Sequence, residues 1–211
     1  SIENIARAKG EIFNGLTDAG IAVFNADDPH AGLWRESNAR RCIVDFGIRQ
    51  PASVRGQCQS RDFGSALAVT LPHACLEITL QVPGEHNAMN ALAAAAAAFA
   101  LDVSLRSIDV GLSGFTGVKG RLQRKPALHG STFIDDTYNA NPDSVKAALA
   151  VLAQQPGRKV LVLGDMGELG TDAATMHAQI GMAARTTGVD RLLALGDFSK
   201  ETVAAFGAGA M

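Results

Sequence analysis

Long apolar runs, paired cysteines and blocks of like charge are all missing from this chain, and each absence closes off a class of protein. The most apolar helical stretch, the alanine-rich segment from Ala91 to Leu101, falls well short of the roughly 20 residues a membrane-spanning helix needs. No signal-peptide pattern is visible. Cysteine is limited to Cys42, Cys58 and Cys75, an odd number, far apart, with no CxxC or Cys/His ligand spacing. They read as buried or incidental thiols in a reducing compartment. Lys and Arg number 19 against 21 Asp and Glu, a formal net charge of −2, and both signs are scattered. No basic stripe points to nucleic acid, and no acidic block points to a solvating tail. The expectation is a cytoplasmic protein that binds neither nucleic acid nor membrane.

What is present describes an ordinary globular chain, 47% apolar and 19% charged. Its 211 residues allow one large domain or two of about 100 residues each. There is no initiator Met, Ser1 opens directly onto a helical pattern, and Gly207 to Met211 follow a helix with no strand to complete a sheet. These ends suggest a piece of a longer polypeptide.

Periodicity gives the outline. Ile5, Ala8, Ile12 and Phe13 share one face of a helix over residues 2–13. A buried strand over 20–24, a short helix over 31–37 and a strand over 42–46 continue an α/β alternation. Residues 66–71 and 76–82 flank Pro72-His73-Ala74-Cys75 as a β-hairpin would. Helices over 87–100 and 105–112 follow. Gly114 to Gly120 is glycine-rich and aperiodic, the best linker, and divides the chain into 1–119 and 120–211. The second part repeats strand and helix, which predicts a parallel sheet with helices on both faces. The expected fold class is therefore α/β: a first region carrying a β-hairpin, then an incomplete Rossmann-like parallel-sheet domain.

The chemistry is concentrated in a few segments. In Phe133-Ile134-Asp135-Asp136-Thr137-Tyr138-Asn139-Ala140-Asn141-Pro142-Asp143-Ser144 an apolar run ends in two carboxylates, and Asn141 then caps a helix with Pro142 at its first position. The carboxyl end of a strand is where α/β proteins place ligands. Adjacent acids repel unless something answers them. For either acid alone, capping the turn is a sufficient explanation.

Val160 to Leu163 runs into Gly164-Asp165-Met166-Gly167-Glu168-Leu169-Gly170. That spacing is G-x-x-G-x-x-G and not the G-x-G-x-x-G of dinucleotide binders. A plain strand-to-helix turn, with Thr171 as cap, competes with a ligand-facing loop. Asn87 and Asn90 stand three apart near the start of a helix, on nearly one face. Their paired donor and acceptor match the N6/N7 edge of adenine, although helix capping by Asn87 would also account for them. Lys9 sits on a mixed helix face, where most lysines are simply solvated. Arg121 follows the linker, where a guanidinium could clamp a phosphate.

Taken together, Ala8 to Phe13, Asn25 to Asp28, Gly84 to Ala94, Gly120 to Leu122, Asp135 to Pro142 and Gly164 to Gly170 resemble the Mur ligase family. These are the ATP-dependent amide ligases of peptidoglycan precursor synthesis. The last two segments lean toward the branch that joins D-Ala-D-Ala to a UDP-MurNAc-tripeptide. The resemblance implies ATP and Mg²⁺ as cofactors, those two compounds as partners, and a monomer. Lys9 matches the lysine that several members carbamylate, which would give an anionic oxygen donor near Mg²⁺. Asn87 and Asn90 match the adenine-contacting pair, Arg121 the hinge arginine near the phosphates, and Asp136 the carboxylate that holds the ribose. Tyr138, Asn139 and His177 fall where ATP or substrate contacts could lie.

The departures are as informative. The G-x-x-x-x-G-K-[ST] loop that holds ATP phosphates does not occur in these 211 residues. The resemblance covers the second half of a central ATP-binding domain (1–119) and the first part of a C-terminal domain (120–211), so the chain alone is expected not to turn over ATP. A ligase of the folylpolyglutamate synthase type and a non-catalytic nucleotide-binding module remain as alternatives.

Overall fold

A computed structural model describes residues 2–211. The chain forms two compact units, Ser1–Thr116 and Gly117–Met211.

The first unit is a five-stranded mixed sheet in sequential order, built from β1 (Ile21–Asn25), β2 (Cys42–Gly47), β3 (Val54–Arg61), β4 (Gly64–Leu71) and β5 (Ala74–Leu80). The first three strands pair in parallel and the last three antiparallel. The hairpin turning at Pro72-His73 is the expected one, with Leu71 opposite Ala74. β3 was not foreseen. Its sequence, Val-Arg-Gly-Gln-Cys-Gln-Ser-Arg, is polar on the outward face, and only Val54 and Gly56 are fully enclosed. Strand pairing, not side-chain hydrophobicity, makes it a strand.

Helix α3 (Glu85–Ala100) covers this sheet. Ala88, Ala91, Leu92, Ala95 and Ala96 recur on one face and are buried, against Val54, Leu67, Val69, Ile78 and Leu80. Small side chains let the helix approach closely. Gly56 completes the fit, since a Cβ there would stand 2.9 Å from Leu92 Cδ2. Helix α4 (Leu105–Ser113) starts at Ser104, whose side chain accepts from the Ser107 amide.

The N-terminal helix departs from expectation. α1 spans Ile2–Gly10, and a 3₁₀ turn takes over at Glu11–Gly15. The anticipated stripe is not buried: Ile5, Ala8 and Ile12 are exposed, and only Ala6 and Phe13 are buried. Phe13 packs edge-on against Phe24, and Phe24 against Trp34 of α2 (Ala31–Ser37). The Trp34 indole N–H donates to the Ala6 carbonyl at 3.0 Å, which ties α1 down. Cys42 and Cys75 are exposed, and Cys58 is half-buried and packs against the core of this unit.

In the second unit β6 (Gln123–Pro126) and β7 (Thr132–Asp135) form an antiparallel hairpin. β8 (Val160–Leu163) and β9 (Arg191–Ala194) pair in parallel. The acidic segment therefore ends one arm of a hairpin, because the short basic run Arg124-Lys125 folds back beside it. Helices α5 (Pro142–Ala153), α6 (Ala173–Thr186) and α7 (Ser199–Phe206) share a core with Leu163 and Leu192 through Val145, Leu149, Ile180, Ala184 and Phe206. Strand alternation turns Val160 and Val162 the other way, and both are exposed, so β8 is covered on one face and not on both. The last residues do more than trail a helix: Leu192 and Ala194 of β9 donate to the Gly209 and Met211 carbonyls, and Ala210 bridges Leu192 in parallel.

Candidate functional site

The start of α3 is built without a capping side chain. Gly84, at φ 94°, is the N-cap, a backbone conformation that glycine adopts without strain. Asn87 is consequently inside the helix and does not cap it. Its amide N–H donates to the Gly84 carbonyl at 3.1 Å, and its side-chain Nδ2 donates to the buried Pro83 carbonyl at 2.7 Å. Asn90, one turn on, is exposed.

This helix start is braced from below. Arg49 pairs with Glu85, the first residue of α3. The loop carrying Arg49 is held by Asp27, whose carboxylate accepts from the backbone N–H of Ile48 (2.8 Å), Arg49 (3.0 Å) and Gln50 (2.7 Å). Burial raises the Asp27 pKa, but the three N–H donors and the Arg49 charge outweigh it, and the group lies below its ordinary value. Gly47 leaves room for the carboxylate, since a Cβ there would sit 2.9 Å from Asp27 Oδ1. In the sequence Asp27 belongs to the Asn25 to Asp28 segment of the family resemblance, and nothing in its spacing reveals the bracing. Lys9, at the end of α1, is exposed and has no ion-pair partner among the described residues.

In the second unit the two adjacent acids have separate surroundings. Asp135 is buried and accepts from Lys125 Nζ (2.5 Å), the Thr137 hydroxyl (2.7 Å) and the Thr137 amide (3.2 Å). The lysine, then the threonine hydroxyl, bring its pKa down to about 2. Asp135 thus welds the hairpin to the following turn. Asp136 is half-buried and accepts from the Leu122 amide through Oδ1 at 3.0 Å.

The segment after the linker is shaped around this turn. Gly120 (φ 75°) and Leu122 (φ 48°) both adopt left-handed conformations. The Tyr138 amide donates to the Gly120 carbonyl at 3.0 Å, and the Arg121 guanidinium lies over the Tyr138 ring, 4.3 Å from its centroid. Arg121, Asp136 and Tyr138 are therefore brought together within one unit. Asn139 is exposed and accepts from the Ala140 amide. Asn141 and Ser144 form a reciprocal capping box with Pro142 in the first turn.

His177, on α6, is buried. Its Nε2 accepts from the Met166 amide at 2.9 Å, and Nδ1, the protonated nitrogen, donates to the Ala173 carbonyl at 2.8 Å. Its ring stacks on Phe198. Both nitrogens bond to backbone, and the Asp165 carboxylate stands 3.7 Å from Nε2, so His177 holds the Gly164–Gly170 loop. Thr171 is not a cap: a 3₁₀ turn covers Gly170–Asp172 and α6 starts at Ala173. Among the described residues no three His, Cys, Asp or Glu side chains gather as a metal-binding group, and no helix is long and apolar enough to cross a membrane.

The family description "Mur ligase middle domain" matches residues 1–98, and "Mur ligase, glutamate ligase domain" matches 120–210. The chain belongs to the Mur ligase family. It is 37% identical over 211 residues to the UDP-N-acetylmuramoyl-tripeptide–D-alanyl-D-alanine ligase of Escherichia coli K12, an alignment covering 99% of this chain and 47% of that protein. The crystal structure of MurF from Acinetobacter baumannii superposes with a TM-score of 0.91 at 34% identity, over all of this chain and 46% of that one. MurF from Thermotoga maritima in complex with ADP, 21% identical, shares the fold (TM-score 0.83, all of this chain and 48% of that one). The chain thus spans about half the length of these Mur ligases.

Proposed function

We propose that this chain carries the adenosine-binding and hinge portions of an ATP-dependent ligase. The reaction is the joining of D-Ala-D-Ala to a UDP-MurNAc-tripeptide in peptidoglycan precursor synthesis. The observation that carries the reading is the 37% identity, over nearly the whole chain, to a ligase of that name. The residues fit it. Asn87 and Asn90 offer an adenine-matching face on α3, and Asp136, which accepts from the Leu122 amide through Oδ1, would accept from a ribose hydroxyl through Oδ2. Arg121 supplies a fixed positive charge for a phosphate.

In this reaction ATP phosphorylates the terminal carboxylate of the tripeptide, leaving ADP, and the D-Ala-D-Ala amine then attacks the acyl phosphate, forming the amide and releasing phosphate. The contribution of these residues is positioning and charge neutralisation. Asp135 and Tyr138 keep Asp136 and Arg121 in register. Lys9 is a candidate partner for Mg²⁺ after carbamylation; among the described residues no three His, Cys, Asp or Glu side chains gather to hold it.

The absence of a G-x-x-x-x-G-K-[ST] loop from the sequence leads us to expect no ATP turnover by the chain alone. A chimera in which this segment replaces the aligned half of the E. coli ligase tests the reading. Amide formation with D-Ala-D-Ala supports it; a folded chimera that uses only glutamate acceptors would favour a folylpolyglutamate synthase type. A folded chimera that binds ATP without ligating would favour a binding module.

A further inference from the structure

The loops that leave the carboxyl ends of β8 and β9 are joined by one side chain. Asp165, just past β8, accepts from the Asp197 amide through Oδ2 at 2.7 Å and from the Phe198 amide through Oδ1 at 3.2 Å. Those amides open α7, whose N-cap residue Phe198 offers no capping side chain of its own. Asp165 thus caps a helix from a different loop. Gly196 is shaped around it: at φ 116° it leaves room for the carboxylate, and a Cβ there would fall 2.3 Å from the Asp165 Cγ. The neighbouring imidazole does not share this carboxylate. His177 Nε2, 3.7 Å from Asp165 Oδ1, already accepts from the Met166 amide and carries no proton.

Glu201 shows what this arrangement displaces. It stands three residues after Phe198, the position from which a glutamate ordinarily reaches back to the N-cap N–H. Asp165 occupies that N–H, and Phe198 has ψ 12°, not the extended backbone of such a cap. Glu201 Oε2 is left buried without a hydrogen-bond partner, which costs stability. One helix start therefore has two carboxylate acceptors, one of them idle. We propose that Asp165 is a releasable latch and that Glu201 is poised to replace it at the Phe198 amide. Latched, the Gly164–Gly170 loop is fastened to the loop after β9. Released, Phe198 turns to extended backbone, Glu201 takes its N–H, and Asp165 parts from α7 while Met166 stays anchored to His177. Water already reaches Asp165, so its charge remains solvated. Release leaves a free carboxylate at the end of β8, where α/β proteins place ligands.

Water-exchange NMR on the ¹⁵N-labelled chain reads the Asp197 and Phe198 amides separately. In Asp165→Ala the Asp197 amide is expected to exchange about tenfold faster, the worth of a hydrogen bond to a charged acceptor, while Phe198 changes less than about threefold. Adding Glu201→Ala in that background is expected to accelerate Phe198 by about tenfold as well. Glu201→Ala alone should leave both amides as in the wild type. Asp165→Asn keeps one acceptor oxygen and repeats the comparison if Asp165→Ala does not fold; there too Phe198 should stay protected until Glu201 is removed. No effect of Glu201→Ala on Phe198 in either Asp165 background would overturn the latch exchange. A faster Phe198 amide in Glu201→Ala alone would overturn it as well, since Glu201 would then already hold that N–H.

Discussion

Replacing Asp27 by Ala isolates the bracing beneath α3. The carboxylate accepts from three consecutive backbone N–H groups, those of Ile48, Arg49 and Gln50. Hydrogen bonds to a charged acceptor contribute about 1.5–3 kcal/mol each when enclosed. Arg49 and Gln50 lie at the surface while Ile48 is half-buried, so water replaces the acceptor for two of the three donors. The discounted loss is about 2–3 kcal/mol, which for a domain near 100 residues lowers the melting temperature by about 10 °C or more. Trp34 is the one tryptophan of the chain and lies in the first unit, so its emission during urea unfolding reports on that unit directly. The Asp27 pKa is depressed in the fold. Its contribution is therefore complete above the unfolded value of about 3.9 and is lost as pH falls through the lower folded value. Asp27→Asn should remove that acid-dependent part. An Asp27→Ala midpoint within measurement error of the wild type would refute the bracing argument.

Other outcomes follow from the second unit. Asp135 is held at a pKa of about 2, so the Lys125–Asp135–Thr137 contacts should weaken as pH drops from about 4 toward 2, with no such loss in Asp135→Asn; amide exchange of residues 123–137 measures this. Asn141→Ala removes the capping box of α5 and should cost about 1 kcal/mol, read as a lowered urea midpoint for that helix. Gly181→Ala would put a Cβ 2.2 Å from the Thr202 carbonyl oxygen, and forcing α6 from α7 should cost about 1–3 kcal/mol, seen in the same titration.

Much of this architecture was legible in the residues, and the exceptions have definite causes. The β4–β5 hairpin, α2, α3 and the Asn141-Pro142 cap all carry strong local signals, either alternation, periodicity or capping chemistry. The polar strand β3 and the basic strand β6 carry none, because their pairing partners and not their side chains make them strands. The stripe over residues 2–13 misled in two ways: Ile5 and Ala8 are exposed within α1 itself, and the 3₁₀ turn after Gly10 changes the pitch on which Ile12 and Phe13 were placed. At the candidate site the side chains could be picked out from sequence, but their partners could not. Asp27 braces residues 48–50, Pro83 locks Asn87, and Lys125 answers Asp135 across a hairpin register. His177 illustrates the converse. The family resemblance placed it among possible ATP or substrate contacts, and in the fold it is buried, with Nε2 accepting from the Met166 amide and Nδ1 donating to the Ala173 carbonyl.

The central claim is that this chain holds the adenosine contacts of a Mur ligase, and addition of ATP to the ¹⁵N-labelled protein tests it most directly. The account predicts weak binding, looser than micromolar, with shifts concentrated at residues 84–90 of the first unit and at 120–122 and 136–138 of the second. Silence at all three segments at millimolar ATP, or shifts confined to Gly164–Gly170, would contradict it.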